Sequence, residues 1–489
     1  MFIKFKANRK KLIVLTSLFL FGFIQLSSAQ SNTDKLDELL GLYQEYGQFN
    51  GSVLIAKEGK VIYKKGFGMA NMEWDIPNTP DTKFRLGSIT KQFTAMLILQ
   101  LVEQGKLELD KPISNYLPDY PKANGDRITL HHLLTHSSGI PNYTSFPGFR
   151  DMNRNPYTPA DFVATFADST LEFDPGAQFA YSNSGYFLLG HIIEKTTGKS
   201  YEQVLQAQIL DPLSMKNTGY DHFGTILKNR AAGYEKTGDG YINAPYLDMS
   251  LPYAAGSLYS TVEDLYLWDQ ALYTSKILSL PNMKLMFKPQ IEAFGQHYAY
   301  GWGVGITKPE GMIDSMLTIG HGGGINGFNT LIGRMPNTKD LIVLLNNTGG
   351  TALNEISRSI MGILYNLPYD LPKRSLANNI VEAFMNEGVD AGLAKYENDK
   401  ASGDYYLKEN EMNAVGYKLL QAGKIKEAIA VFKLNVDNNI NSSNAYDSLG
   451  EAYMLDQNKE LAIKNYEKSI ALNPSNLNGV DILKKLKAK

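Results

Sequence analysis

Ser88 and Lys91 stand three residues apart in FRLGSITKQFTAMLILQL, residues 84–101, at the mouth of a run that otherwise reads as a buried helix. Three residues is close to one helical turn, so the two side chains share a face with β-carbons roughly 5 to 6 Å apart. A serine in the first turn meets unpaired backbone N–H groups and the positive end of the helix dipole. An ammonium held beside it, partly out of water, is pushed toward its neutral form and can then accept the serine proton. No other serine in the chain has a lysine three places later. By itself the pair is equally an N-cap serine with a lysine on a solvated face, so the choice rests on what surrounds it.

The surrounding pattern predicts a mixed fold. TDKLDELLGLYQEYG has helical apolar spacing, and GSVLIAKEGKVIYKKGFG alternates apolar and polar residues around a Glu-Gly turn, a β-hairpin signature. From residue 84 to about 270 helical patterns dominate, broken by SSGIPNY and FDPGAQ. YAYGWGVGI, LTIGHGG, GFNTLIGRM and DLIVLLNN then read as short strands. Strands at both ends of a segment and helices between them predict an α+β layer architecture, a sheet assembled from distant chain ends with a helical insertion beside it and a cleft between the two.

Two further motifs follow Ser88-Ile-Thr-Lys91 in order: Tyr181-Ser-Asn183 and His321-Gly-Gly323. Tyr-x-Asn also occurs at Tyr241 and Tyr396, in a Gly/Asn-rich loop and in the distal helical region, while Tyr181 sits in PGAQFAYSNSGYFLLG. Together the three motifs make residues 35 to 365 resemble the penicillin-recognising serine hydrolases, the group of class C β-lactamases, D-alanyl-D-alanine carboxypeptidases, D-aminopeptidases and related esterases. ITLHHLLTHSSGIP, AAGSLYSTVEDLYLWDQAL and YGWGV are similar to that family's scaffold, and the resemblance implies its α+β fold, an antiparallel sheet flanked by helices with a helical subdomain. The resemblance implies that Ser88 attacks a carbonyl and that Lys91 and Tyr181 share the work of general base and acid, without saying which is the base. It implies that Asn183 holds Lys91 and the substrate amide. The N–H groups of Ser88 and of Gly324, just after Gly323 on an edge strand, would form an oxyanion hole. β-Lactamases usually carry lysine where this chain has His321. With a reference pKa near 6.5 a histidine there is only partly charged at neutral pH, which argues for a D-amino acid peptidase or esterase over an efficient β-lactamase.

The remaining features narrow the class. Among 489 residues 48 are basic and 50 acidic, with no long run of either sign, so no footprint for nucleic acid or an anionic membrane is present. Gly-x-Ser-x-Gly is absent, which argues against an α/β-hydrolase. His132 and His136 are four apart without the His-Glu-x-x-His pattern, so a structural role is expected; no metal and no cofactor is assigned. Residues 1–29 read as a signal peptide: a basic start, an apolar run over 12–26, and small Ser27 and Ala29 at the cleavage positions. The uncleaved alternative, a membrane anchor, would need a longer run. An exported, periplasmic or secreted protein without a membrane span after cleavage is expected, and with no cysteine in the chain it must rely on its core.

Beyond the proline-containing linker YNLPYDLPKRS the pattern becomes purely helical and repeats: Gly416, Ala428 and Phe432 recur as Gly450, Ala462 and Tyr466, each 34 residues on. That period resembles the tetratricopeptide repeat, with Ala394 marking a degenerate earlier unit. The expected layout is a signal peptide over 1–29, a β-lactamase-like hydrolase domain over 30–370 and an all-α repeat domain over 371–489. The repeats either pack on the first domain or dock a protein partner. The expected activity is hydrolysis of a small-molecule or peptide substrate, amide or ester, through an acyl-enzyme on Ser88. The alternative is a ligand-sensing or peptidoglycan-binding protein whose repeats dock a partner; retention of serine, lysine, tyrosine and asparagine together favours the enzyme.

Overall fold

The computed structural model describes residues 31–237 and 240–488 together with Met1; the leader read over residues 1–29 lies, Met1 apart, outside them. Helix α1 (Asn32–Glu45) opens on a reciprocal cap between Ser31 and Asp34. It leads into a hairpin of β1 (Gly51–Lys57) and β2 (Lys60–Phe67). Glu58 at φ 52° and Gly59 at φ 75° form its two-residue turn, the positive φ values that a tight hairpin demands.

Six more strands complete the main sheet: β3 (Ile291–Ala293), β4 (Gln296–Tyr298), β5 (Gly303–Thr307), β6 (Met316–Ile325), β7 (Phe328–Met335) and β8 (Asp340–Asn346). The order is β3-β4-β5-β6-β7-β8-β1-β2, antiparallel throughout, so the two ends of the segment meet where β8 pairs with β1. β1 and β8 are apolar at nearly every position because both faces are covered. Leu54, Ala56, Val343 and Leu345 enter one core, whereas Val53, Ile55, Ile342 and Leu344 enter the other.

The larger core belongs to the helical layer, built around α2 (Thr90–Glu103), α3 (Asn183–Thr197) and α4 (Val262–Ala271). Helix α2 is buried on every side from Thr90 to Leu101, the reason its sequence shows no polar face. On the opposite face of the sheet α1 and α5 (Leu353–Tyr365) contribute Leu39, Leu40, Ile356 and Ile360.

Seven helices follow: α6 (Leu376–Asn386), α7 (Val389–Ser402), α8 (Glu409–Gln421), α9 (Ile425–Asn438), α10 (Ser443–Leu455), α11 (Lys459–Leu472) and α12 (Leu477–Ala488). They enclose an apolar cluster of their own that starts at Leu376. A β-carbon on Gly416 of α8 would fall 2.3 Å from the Phe432 ring of α9, and one on Gly450 of α10 would fall 3.1 Å from the Tyr466 ring of α11. The earlier unit departs from the expected register. Ala394 is exposed, and the close approach is Gly392 of α7 against Phe384 of α6, which reverses the helix that carries the small residue. The linker stays attached to the first body: Ser359 Oγ donates to the Asp370 carbonyl at 3.0 Å and Gln48 Nε2 to the Lys373 carbonyl at 2.7 Å. Among the described residues no helix is long and apolar enough to cross a membrane.

Candidate active site

The site lies where the sheet stops being a sheet. β5 pairs with β6 only as far as Gly320, so from His321 onward β6 has a partner on one side, β7. A strand that is internal by order is therefore locally an edge, as the sequence reading expected. The β6–β7 hairpin closes on Ile325 and Phe328, which places ladder bonds at Ile325, Gly323 and His321 and turns the N–H and C=O of Gly322 and Gly324 away from β7.

Into this free side fits the segment Leu86-Gly87-Ser88. Gly87 adopts φ 54°, and a β-carbon on it would lie 2.9 Å from the Gly324 carbonyl oxygen and 3.0 Å from its nitrogen. On Gly323 a β-carbon would lie 1.9 Å from the Leu86 carbonyl oxygen. Both positions need glycine for this approach. Thr330 Oγ1 donates to the Leu86 carbonyl at 2.7 Å, and the Leu86 N–H donates to Leu258 at 2.7 Å, so the turn is held from both sides. Ser88 itself lies on a 3₁₀ turn, Gly87–Ile89, that feeds α2; the sequence reading placed it within the α-helix, and the left-handed Gly87 tightens that first turn.

Lys91 is fully buried, and among the described residues no carboxylate pairs with it; its Nζ lies 3.0 Å from Ser88 Oγ, 2.8 Å from Asn183 Oδ1 and 2.9 Å from the Ala255 carbonyl. Burial holds its pKa well below the ordinary 10.5. The last two partners only accept, and in a neutral amine they take both hydrogens and leave the lone pair aimed at the serine hydroxyl. Asn142 Oδ1 accepts from both the N–H and the Nδ2 of Asn183 at 3.1 and 3.3 Å, which turns Asn183 Oδ1 toward the lysine. Lys91 Nζ also sits 4.9 Å from the Tyr181 ring centroid. Tyr181 is half-buried, the desolvation of its phenol raises its pKa above the ordinary 10, and its hydroxyl bonds to Ser88. At neutral pH it is a phenol.

The structure also brings His321 here, and in a different state from the one expected. Its Nδ1 donates to the Gly322 carbonyl at 2.6 Å, its Nε2 meets the Tyr298 hydroxyl at 3.0 Å, and burial lowers its pKa to about 4. The ring is neutral at neutral pH, so the partial positive charge expected from its reference pKa is absent. His132 and His136 diverge: His132 Nδ1 accepts from the Thr129 N–H at 3.2 Å, and His136 Nδ1 from the Ser182 N–H at 3.1 Å. Among the described residues no group of three or more potential ligands could hold a metal ion.

With this geometry the matches to known proteins agree. A profile of the Beta-lactamase family fits residues 34–366. The chain belongs to the Beta-lactamase family. It is a serine hydrolase of that family. The solved octameric penicillin-binding protein homologue from Pyrococcus abyssi is similar over 71% of this chain and 81% of its own, with 32% identity and a TM-score of 0.60. The D-amino acid amidase from Ochrobactrum anthropi SV3 is similar over 68% of this chain and 98% of its own, at 26% identity and a TM-score of 0.59. The teichoic acid D-alanine hydrolase of Staphylococcus aureus is 30% identical over 271 residues, 55% of this chain and 63% of its own.

Three contributors to the cleft were not singled out by sequence, the Ala255 carbonyl, Asn142 and Tyr298, and a fourth, His136, was read there only as structural. A backbone carbonyl has no sequence signal. The side chains carried no signal of these contacts, because their partners lie 23 to 162 residues away in the chain.

Proposed function

We propose that this protein is an exported serine hydrolase that forms an acyl-enzyme on Ser88 with D-amino acid amides, peptides or esters. One observation carries the reading: a buried Lys91 whose Nζ meets Asn183 Oδ1, the Ala255 carbonyl and Ser88 Oγ, so that as a neutral amine it gives its two hydrogens to the first two and turns its lone pair to the serine. That arrangement supports Lys91 as the base in acylation, since a phenol with a raised pKa has no free phenolate to offer. Ser88 Oγ bonds to the carbonyl carbon as its proton passes to Lys91. The oxyanion is taken by the N–H groups of Ser88 and Gly324, and Tyr181 hands a proton to the leaving nitrogen or oxygen, recovering one from Lys91. Water then reverses the sequence and frees Ser88.

The neutral His321 supports the substrate class, because no fixed cation stands where a penicillin carboxylate would need one. Similarity to a D-amino acid amidase and to a teichoic acid D-alanine hydrolase supports the same class. The layout that goes with this reading is a leader over 1–29, a hydrolase domain over 30–370 and a tetratricopeptide-like module over 371–489 that docks a protein partner outside the cytoplasm.

The test is an activity-based label. Incubation with a fluorophosphonate, followed by mass spectrometry of intact protein, gives one adduct on Ser88, and none after Ser88→Ala. Turnover of D-alanine p-nitroanilide and short p-nitrophenyl esters then exceeds that of nitrocefin. Absence of any adduct would instead favour a ligand-sensing protein.

A further inference from the structure

Four hydrogen bonds link the start of α3 to the end of the sheet. The Ser182 N–H reaches His136 Nδ1 at 3.1 Å, His136 Nε2 meets the Tyr298 hydroxyl at 3.3 Å, the same hydroxyl meets His321 Nε2 at 3.0 Å, and His321 Nδ1 meets the Gly322 carbonyl at 2.6 Å. The ends decide the direction of every bond between them. A backbone N–H only donates, so His136 Nδ1 is bare and Nε2 carries its hydrogen. A backbone carbonyl only accepts, so His321 Nδ1 carries its hydrogen and Nε2 is bare. The single Tyr298 hydrogen therefore points to His321, and its oxygen accepts from His136. A second proton on His136 would face the Ser182 N–H, and one on His321 would face the Tyr298 hydrogen, which would then have to leave His321 for its other partner, the Tyr186 hydroxyl.

We propose that Tyr298 and His136 are positioning residues that lock His321 as a neutral Nδ1–H tautomer, and that Tyr298 thereby determines specificity by keeping carboxylate-bearing substrates from finding a cation beside Ser88. The proposal rests on the reading of this cleft as the substrate site. The groups facing the chain are consistent with it. Lys91 on α2 supplies positive potential whenever it is charged, which disfavours a cation on either histidine. Tyr181 and Tyr186 from the α3 side are phenols with raised pKa values and offer no anion. The His136 ring lies against Tyr181, with centroids 4.2 Å apart at 34°, so the same chain fixes the phenol that bonds to Ser88.

The experiment uses the full chain with ¹⁵N-labelled histidine. Imidazole spectra are expected to show His321 protonated on Nδ1 and His136 on Nε2, opposite tautomers in one cleft, and neither ring titrating between pH 5 and 8. A His321 protonated on Nε2, or titrating near its ordinary value, overturns the proposal without reference to any activity. Tyr298→Phe removes the hydrogen bond that favours the neutral ring, and the His321 pKa should then rise by about one unit. In that variant the ratio of kcat/KM for a carboxylate-bearing ester over its neutral analogue should climb severalfold from pH 7 to pH 5, while the wild-type ratio stays flat. A residue with a merely structural role would lower both substrates together and leave the ratio unmoved, and that outcome refutes the specificity role. If Ser88 takes no fluorophosphonate, the hydrolase reading fails while the tautomers still stand or fall by the spectra.

Discussion

Gly323→Ala offers a sharp test of how the sheet edge serves the serine. A β-carbon at residue 323 would lie 1.9 Å from the Leu86 carbonyl oxygen and 2.3 Å from Thr330 Oγ1, where ordinary contact begins at 3.4 Å. Neither neighbour has room to move: the first is backbone, and the second is the hydroxyl that bonds to that same backbone. The turn and the strand must part by about 1.5 Å, the shortfall from ordinary contact. Gly324 moves with the strand, so its N–H leaves the position facing the Ser88 carbonyl adduct. Loss of one oxyanion donor lowers kcat by roughly 10² to 10³, or about 2.7 to 4 kcal/mol. Overpacking of this kind costs about 1 to 3 kcal/mol of stability, which a domain with this core survives. Gly322 is the control, because a β-carbon there meets only the Thr330 carbonyl oxygen at 3.7 Å. Steady-state hydrolysis of a p-nitrophenyl ester, with thermal melts on the same samples, separates the two effects. A folded Gly323→Ala protein that keeps more than a tenth of wild-type kcat, or a Gly322→Ala protein that loses as much as Gly323→Ala, would refute the reasoning.

Ser88→Ala should abolish labelling and turnover with the melt nearly unchanged, since one hydroxyl at the cleft is deleted; residual turnover of a few per cent of wild type would remove Ser88 from the nucleophile role. Lys91→Met should be inactive, and its stability relative to wild type should improve as pH falls from 10 to 7. The folded pKa of Lys91 lies below its unfolded value, so wild type pays nothing above about 10.5 and progressively more below it, up to about 1.4 kcal/mol per pH unit until the folded pKa is reached. Chemical denaturation of both proteins across that range measures it, and a gap that is flat or reversed with pH would mean that Lys91 is charged in the fold. A chain ending after Ser375 should remain folded and take the fluorophosphonate, because the apolar cluster of the terminal helices begins at Leu376 and the preceding linker holds to Gln48 and Ser359. Insolubility of that fragment in expression trials would show that the helices complete the first domain.

The elements that were legible in the sequence are those whose pattern has a local cause. The Glu58-Gly59 turn, the wholly buried α2 and the runs of β1 and β8 each follow from backbone geometry or from burial on every face. The Ser88–Lys91 pair was legible because helical spacing alone brings it together. The repeat at Gly416 and Gly450 was legible for a similar reason, since a glycine must stand where an aromatic ring presses on its helix. Ala394 shows the limit of that argument: composition at the right period is not packing, and the glycine two residues earlier makes the contact instead. The state of His321 was illegible because a reference pKa belongs to a solvated ring. Its pKa is lowered by burial in a cleft assembled from distant segments, where Lys91 adds to the effect and the Nε2 partner, Tyr298, stands 23 residues away.

Burial acts on two basic groups in this cleft with one sign and two consequences. It lowers Lys91, which turns an ammonium into a base that can take the serine proton, and it lowers His321, which turns a potential cation into a neutral donor and acceptor already committed at both nitrogens. The two effects reinforce each other, since a charge on either group makes a charge on the other more costly, as Lys91 does to both His321 and His136. A lysine at residue 321 would break this arrangement. Tyr298 could offer its oxygen to a new ammonium but would lose the acceptor for its own hydrogen, and the permanent charge would depress Lys91 further while supplying a counter-ion for carboxylates. Recognition of an anionic substrate and a neutral base beside the serine are thus separable demands on one fold, since a cation at residue 321 would serve the first while burial of Lys91 serves the second.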